Sequence, residues 1–356
     1  MLVNWSRSQR PTEGRGARTN MQDRLETFSR GVNFTRYRGQ SEGHYESFFL
    51  RANHPHRAQA FWIRYTIFSP KGRPDEAIGE LWAIFFNAEQ NRHAVAKQEY
   101  RFADCDFDAS SFGVRIGKAT LLPNRLEGTI EGAQHSLAWN LKFEGDSPPA
   151  LLLPLAFYER RFPAAKSIVS LPMARFSGVL TVDGMQIEIA DWVGSQNHNW
   201  GSRHTDLYAW GQVAGFDNQP DSFLEVATAR LRLGPFWTPP ITPMVLRHRQ
   251  KEYAFTGLGQ AIRAKGKFGY FSWQFASRNR DAEITATISA PREAFVGLRY
   301  YNPPGGVKHC LNSKIARCTL RLTNRRAGTT EVLETKNRAA FEILTDDETH
   351  GVEMSA

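Results

Sequence analysis

The chain is poor in cysteine. Three residues, Cys105, Cys310 and Cys318, serve 356 positions, with no CxxC pair. An odd, scattered count excludes a disulfide framework and a structural zinc site, and a reducing, cytoplasmic location is expected. Long apolar runs are missing too. The longest, Ala150 to Tyr158, is broken by Pro154 and is far short of the ~20 residues a membrane helix needs. No apolar segment follows the early arginines, so the start does not read as a secretory signal, although an Arg-rich, acid-poor start faintly resembles a transit peptide. There is no GxSxG elbow, no Walker loop and no dinucleotide fingerprint after a strand, so the common hydrolase and nucleotide-enzyme classes lose support.

The formal charge is +9. Much of the excess sits in residues 1–24, a Gly- and Arg-rich stretch without period that is expected to be a disordered tail. Elsewhere both signs interleave, with no sustained basic stripe, so nucleic acid is not an expected partner. Aromatic residues reach 12%, enough for large aromatic cores.

The prevailing period is two. FWIRYTIF (61–68) sets Phe61, Ile63, Tyr65 and Ile67 against Arg64 and Thr66, and GELWAIFFN (79–87) is apolar enough to be covered on both faces. Short strands separated by Gly, Pro and Asn follow to residue 144. Residues 146–176 are Pro-punctuated and read as a long irregular crossing. Val182-Asp183-Gly184-Met185 is a hairpin turn by composition. After residue 207 the pattern begins again, with a second Pro-rich crossing near Pro239-Pro240, and an internal duplication is suggested. The expectation is an all-β chain of two consecutive antiparallel β-barrels with Pro-rich crossing loops, divided as residues 25–200 and 201–350.

Asp191 to Gln212, DWVGSQNHNWGSRHTDLYAWGQ, concentrates Trp, His, Asp and Gly, and reads as a polar connection between strands. Together with FDN, the strand FLEVATARLRLGP and the late CLNSKIARCTLRL, it resembles the lipocalin-like superfamily that includes hydroxyneurosporene synthase, the AttH-like proteins and plant tocopherol cyclase. The resemblance implies two lipocalin-like barrels and no organic cofactor. It also implies acid-driven addition of water or an internal hydroxyl to an isoprenoid double bond inside a barrel cavity.

Such chemistry needs a carboxyl kept protonated by an apolar pocket, aromatic faces against positive charge and a group to orient water. Asp206 is the first candidate acid, with Asp191 and Glu225 as alternatives. His198 would orient the acid or the water. Trp192, Trp200, His204, Trp210, Trp237 and Trp273 are the expected ligand-binding residues. Each has a plainer reading: Asp191 as an acceptor of loop N–H groups, His198 as a structural hydrogen-bonding group, the tryptophans as core. His198, His204 and Asp206 match no metal spacing, and no metal is expected. The alternative to an enzyme is a carrier for a terpenoid or fatty acyl ligand; peripheral contact with a membrane is a further expectation.

Overall fold

A computed structural model describes residues 28–356; the tail at residues 1–24 lies outside them. The first sheet opens as a meander of β1 (His44–Asn53), β2 (Gln59–Ser69), β3 (Ile78–Asn87) and β4 (Ala94–Arg101). Five shorter strands follow, β5 (Cys105–Phe107), β6 (Val114–Ile116), β7 (Ala119–Leu122), β8 (Arg125–Glu131) and β9 (Ser136–Glu144). After β10 (Ala150–Leu151) and a short helix α1 (Leu155–Glu159), a long hairpin of β11 (Ala165–Val182) and β12 (Met185–Gly201) completes the sheet. Its turn is the expected one: Asp183 and Gly184 both take positive φ, 50° and 82°, and Val182 pairs with Met185.

The second sheet repeats this plan. It contains β13 (Leu207–Ala214) and β14 (Phe223–Arg230). A small separate hairpin, β15 (Arg232–Leu233) with β16 (Phe236–Trp237), leads on to β17 (Met244–His248) and β18 (Lys251–Phe255). Helix α2 (Leu258–Arg263) precedes β19 (Lys265–Phe268), β20 (Ser272–Arg278), β21 (Ala282–Ser289) and β22 (Val296–Tyr301). The closing hairpin is β23 (Val307–Asn324) with β24 (Thr329–Thr345).

In each sheet the last strand returns to pair with the first, β12 on β1 and β24 on β13. The orders are β4-β3-β2-β1-β12-β11-β9-β8-β7-β6-β5 and β18-β17-β14-β13-β24-β23-β21-β20-β19. All their pairings are antiparallel, and the ends of each sheet curl towards one another. In the first, Gly132 follows β8, and a Cβ there would fall 2.8 Å from the Ala96 Cα of β4. In the second, Trp273 Nε1 of β20 donates to Thr228 Oγ1 of β14 at 3.1 Å. The fold is all-β and antiparallel, of the barrel type expected.

Two expectations change. The stretch from Asp191 to Gly201 is not a connection but the second half of β12, and only residues 202–206 link the sheets. The crossing at 146–176 is likewise shorter, because β11 begins at Ala165. In both places the alternation is hidden because polar residues occupy inward positions as well as outward ones.

The cause lies in the packing. The interior of the first barrel holds Phe48, Leu50, Phe61, Ile63, Leu81 and Trp139. The opposite faces of the same strands, with Phe49, Trp62, Trp82, Ile84 and Phe86, join the core cluster of the second barrel. Strands β1, β2, β3 and the end of β12 are therefore covered on both sides. Burying each of these large apolar side chains contributes roughly 1.5–3 kcal/mol.

Candidate functional site between the barrels

Along β1, the even positions from His44 to Ala52 enter the first barrel, and Tyr45, Phe49 and Arg51 point to the second. On β13 and β14 the residues facing back are Tyr208, Trp210 and Gln212, and Glu225, Ala227 and Ala229. Where these faces meet they enclose a cavity of about 260 Å³. Its outer part is apolar, with Leu152, Pro154, Phe157, Ile241 and Leu258; its floor carries Tyr45, Arg64, Tyr208, Trp210, Tyr300 and Glu342. The cavity thus lies in the seam between the barrels, and not inside one barrel as expected. The barrel interiors are filled by their own aromatic and aliphatic side chains.

Below the floor is a buried polar network. Arg51 Nε and Ser195 Oγ both donate to Gln212 Oε1, at 2.8 and 2.6 Å. This fixes the amide so that its nitrogen reaches Asn197 Oδ1 at 2.8 Å and Glu225 Oε2 at 2.9 Å. The other oxygen of Glu225 accepts from Trp210 Nε1 at 2.7 Å. Burial pushes the Glu225 carboxyl up to about 8, against the pull of these two donors and of Arg51. Burial also brings the Arg51 guanidinium down to about 10.

Glu342 lies beside Trp210 in the register of β24 against β13. Its Oε1 accepts from Lys314 Nζ at 2.6 Å and Asn312 Nδ2 at 3.1 Å. Its Oε2 has the weak Cys310 Sγ contact at 3.9 Å, which leaves it available to a ligand. Lys314 is completely buried, its pKa lowered chiefly by that burial. Its ammonium lies 5.6 Å from the centre of the Trp62 ring and 5.4 Å from that of Trp210.

Arg64 donates to Ser47 Oγ at 2.8 Å and stacks 4.3 Å over Tyr300. Burial raises the phenols of Tyr45, Tyr208 and Tyr300, so they remain hydrogen-bond donors. Two buried polar atoms on the cavity residues, Trp62 Nε1 and Asn199 Oδ1, have no protein partner.

Of the residues expected from sequence, Trp210 and His204 line the cavity, and Glu225 lies behind Trp210 in the network below its floor. His204 stacks 4.0 Å from Tyr45 on the cavity wall, and burial first, then Arg64, brings its pKa down to about 3. The others lie elsewhere. Asp206 accepts from Arg203 at 2.7 Å and from the Arg232 amide at 2.9 Å, and does not line the cavity. Asp191 is at the surface with Arg175 at 2.9 Å.

His198 points into the first barrel. Its ring nitrogens meet Glu46 Oε1 at 2.8 Å and the Val32 carbonyl at 2.7 Å. Glu46 also accepts from Thr35, the Arg36 and Tyr37 amides and His44. This cluster pins the segment before β1. Trp192 and Trp273 are core residues of the first and second barrel, Trp200 packs with Tyr158 and Ile168, and Trp237 is partly exposed on the β15–β16 hairpin. For Trp192, His198 and Trp200 the reason is alternation along β12, which sends them to the face opposite the cavity. Among the described residues, no group of three or more His, Cys, Asp and Glu is arranged to hold a metal.

The sequence reading missed Arg51, Arg64, Gln212, Lys314 and Glu342. The available signal was a single charged or amide residue in a strand otherwise apolar on both faces, as in FFLRAN, FWIRYTIF and LNSKIA.

The chain is 25% identical over 302 residues to uncharacterized proteins of Mycobacterium tuberculosis strains CDC 1551 and H37Rv, covering 83% of this chain and 86% of each relative. Its fold is similar to that of a putative AttH from Nitrosomonas europaea, with TM-score 0.54 and 12% identity over 85% of this chain and 91% of that one. It is also similar to kievitone hydratase from Nectria haematococca, with TM-score 0.52 and 9% identity over 87% and 93% of the two chains. The family model described as tocopherol cyclase-like matches residues 163–343, just over half of the sequence, from the end of the Pro-rich crossing through the cavity face of β24. By that match the chain belongs to the tocopherol cyclase-like family.

Proposed function

We propose that this protein is a cofactor-independent hydratase or cyclase that adds a hydroxyl, from water or from the substrate itself, across a carbon–carbon double bond held between the barrels. The observation that carries the reading is a pair of carboxyls in one buried seam with opposed environments. Glu225 is held towards its neutral form by burial, and Glu342 is ion-paired to Lys314 with one oxygen available to the cavity. Such a divided pair is the arrangement that separates acid and base roles. The family match and the hydratase named among the structural neighbours support the same reaction class.

In this reading Glu342 Oε2 takes the proton of the attacking hydroxyl as the C–O bond forms. The π electrons move to the far carbon, or through it to a conjugated carbonyl oxygen. Arg64, Tyr45 and Tyr208 are the donors for that oxygen. The proton is then delivered to the far carbon, so the net change is gain of one water, or isomerisation when the hydroxyl belongs to the substrate. An unconjugated isoprenoid bond requires protonation first, and Glu225, the carboxyl that burial keeps neutral, lies behind Trp210 and does not itself line the cavity. Three buried cations, Arg51, Arg64 and Lys314, oppose the carbocation that protonation would form. They favour a substrate with an apolar chain in the outer cavity and an oxygen-activated double bond on the floor.

The test uses a terpenoid and lipid extract incubated with the protein in D2O. Products heavier by one water, or isomeric, with one carbon-bound deuterium are expected, and the Glu342→Gln variant should lose at least about 100-fold in rate. A ligand recovered unchanged, with equal binding by the variant, would establish instead a carrier for hydrophobic ligands, the reading that the apolar outer cavity alone supports.

A further inference from the structure

Ten large hydrophobic side chains are exposed among the described residues, and six of them sit at one place: Phe162, Leu233, Phe236, Trp237, Leu258 and Ile262. Phe162 and Leu258 line the cavity themselves, and Ile262 follows the lining residue Ala261 on α2. Leu233, Phe236 and Trp237 form the β15–β16 hairpin. This hangs from the lining residue Leu231, whose amide and carbonyl are tied back to Thr238. The apolar tips therefore surround the route into the seam. Isolated exposed hydrophobics need no explanation, but a clustered set marks a contact surface.

The charge on the same segments is one-sided. Residues 155–166, 202–206, 230–243 and 256–264 carry seven basic side chains and two acidic ones. One of the acidic pair, Asp206, is already held by Arg203. Five of the nine net positive charges of the whole chain thus fall on these four segments. Apolar tips among arginines suit the boundary of an anionic bilayer, where hydrocarbon takes the tips and headgroups take the guanidiniums. Trp237, partly exposed with Arg230 5.3 Å over its ring, has the amphipathic form that the interface favours. A second copy of this chain would bring the same positive charge against itself, which disfavours a mouth-to-mouth dimer.

We propose that the mouth of the cavity docks on an anionic lipid surface, with the β15–β16 hairpin, Phe162 and α2 entering the headgroup region, so that an apolar ligand passes between bilayer and seam without crossing water. The proposal concerns access and stands whether the seam performs chemistry or only carries a ligand.

The test is flotation of the full-length protein with phosphatidylcholine vesicles with and without about one-third phosphatidylglycerol, at low and high salt. Binding to the anionic vesicles is expected, weakened by salt, with loss of about tenfold or more when Phe236→Ser and Trp237→Ser are combined. That double variant alters only exposed positions and keeps the basic tail, so a loss with unchanged Tm assigns the binding to the mouth. Brominated lipid should quench a fluorescence component that the Trp237→Phe variant lacks. Equal flotation of the hairpin variant, or no flotation of the unaltered protein, would overturn the proposal. So would a concentration-dependent dimer in sedimentation that the same variant abolishes, since that gives the face to a second copy.

Discussion

Replacing Glu225 by Gln should reverse the order of stability of the two proteins between acid and alkaline pH. The ordinary carboxyl value is 4.5 and the folded value is about 8. The folded protein holds this proton more tightly, so the contribution is fully present below pH 4.5 and is lost as pH rises towards 8. At about 1.4 kcal/mol per pH unit, the loss between pH 5 and 8.5 amounts to about 4 kcal/mol. For a chain of this length that is a fall of roughly 5 °C in Tm.

The Gln variant removes this titration but creates a mismatch at acid pH. Trp210 Nε1 and Gln212 Nε2 both donate to Glu225, and Gln212 cannot turn because Arg51 and Ser195 hold its oxygen. A glutamine oxygen can serve only one of them, and the unmet donor costs about 1–3 kcal/mol. The variant should therefore melt lower than the parent at pH 5 and higher at pH 8.5. Calorimetry at half-unit steps, taken as a difference between the two proteins, cancels every other titrating group. Parallel curves would refute the reasoning, because they would mean that Glu225 is ionised at both ends of the range.

Lys314→Met should destabilise the fold by about 3–5 kcal/mol, because the Glu342 carboxylate would stay in the seam without its cation; chemical denaturation of this variant and of the Lys314→Met, Glu342→Leu pair should show most of the loss recovered in the double change. Asp206→Asn, at the position that sequence alone ranks first as the acid, should leave turnover in the D2O assay within about twofold, since the side chain is engaged by Arg203 and the Arg232 amide away from the cavity.

The fold was largely legible because its strands obey a simple alternation wherever one face is apolar. In FWIRYTIF the alternation separates two faces, and both are buried: Phe61 and Ile63 in the first barrel, Trp62 against the second. The Asp183-Gly184 turn was legible for a local reason, since few residue pairs accept two positive φ angles. The failure at Asp191–Gly201 is equally local. There β12 has buried polar residues on both faces, with Gln196 and His198 on one and Ser195 and Asn197 on the other. A strand of that composition has no hydrophobic period to read.

The candidate site fails to appear in sequence for a related reason. Its members are Arg51, Arg64, Gln212, Glu225, Lys314 and Glu342, six residues drawn from β1, β2, β13, β14, β23 and β24. No two of them share a motif, because the site is not built along the chain but across two sheets laid face to face. Each strand contributes one or two polar residues to a face that otherwise packs as core. The only trace is a polar side chain where an apolar one would be more stable. Glu225 stands out by that criterion, among Phe223, Ala227 and Ala229. Applied to every strand covered on both sides, the same criterion selects Arg51, Arg64, Lys314 and Glu342 as well. Burying unpaired charge is too unfavourable for such residues to persist without partners, so several of them on neighbouring strands imply one another. In a two-barrel chain, then, the informative positions lie in the strands covered on both sides, and Trp192 and Trp200, the tryptophans on the far face of β12, supply packing.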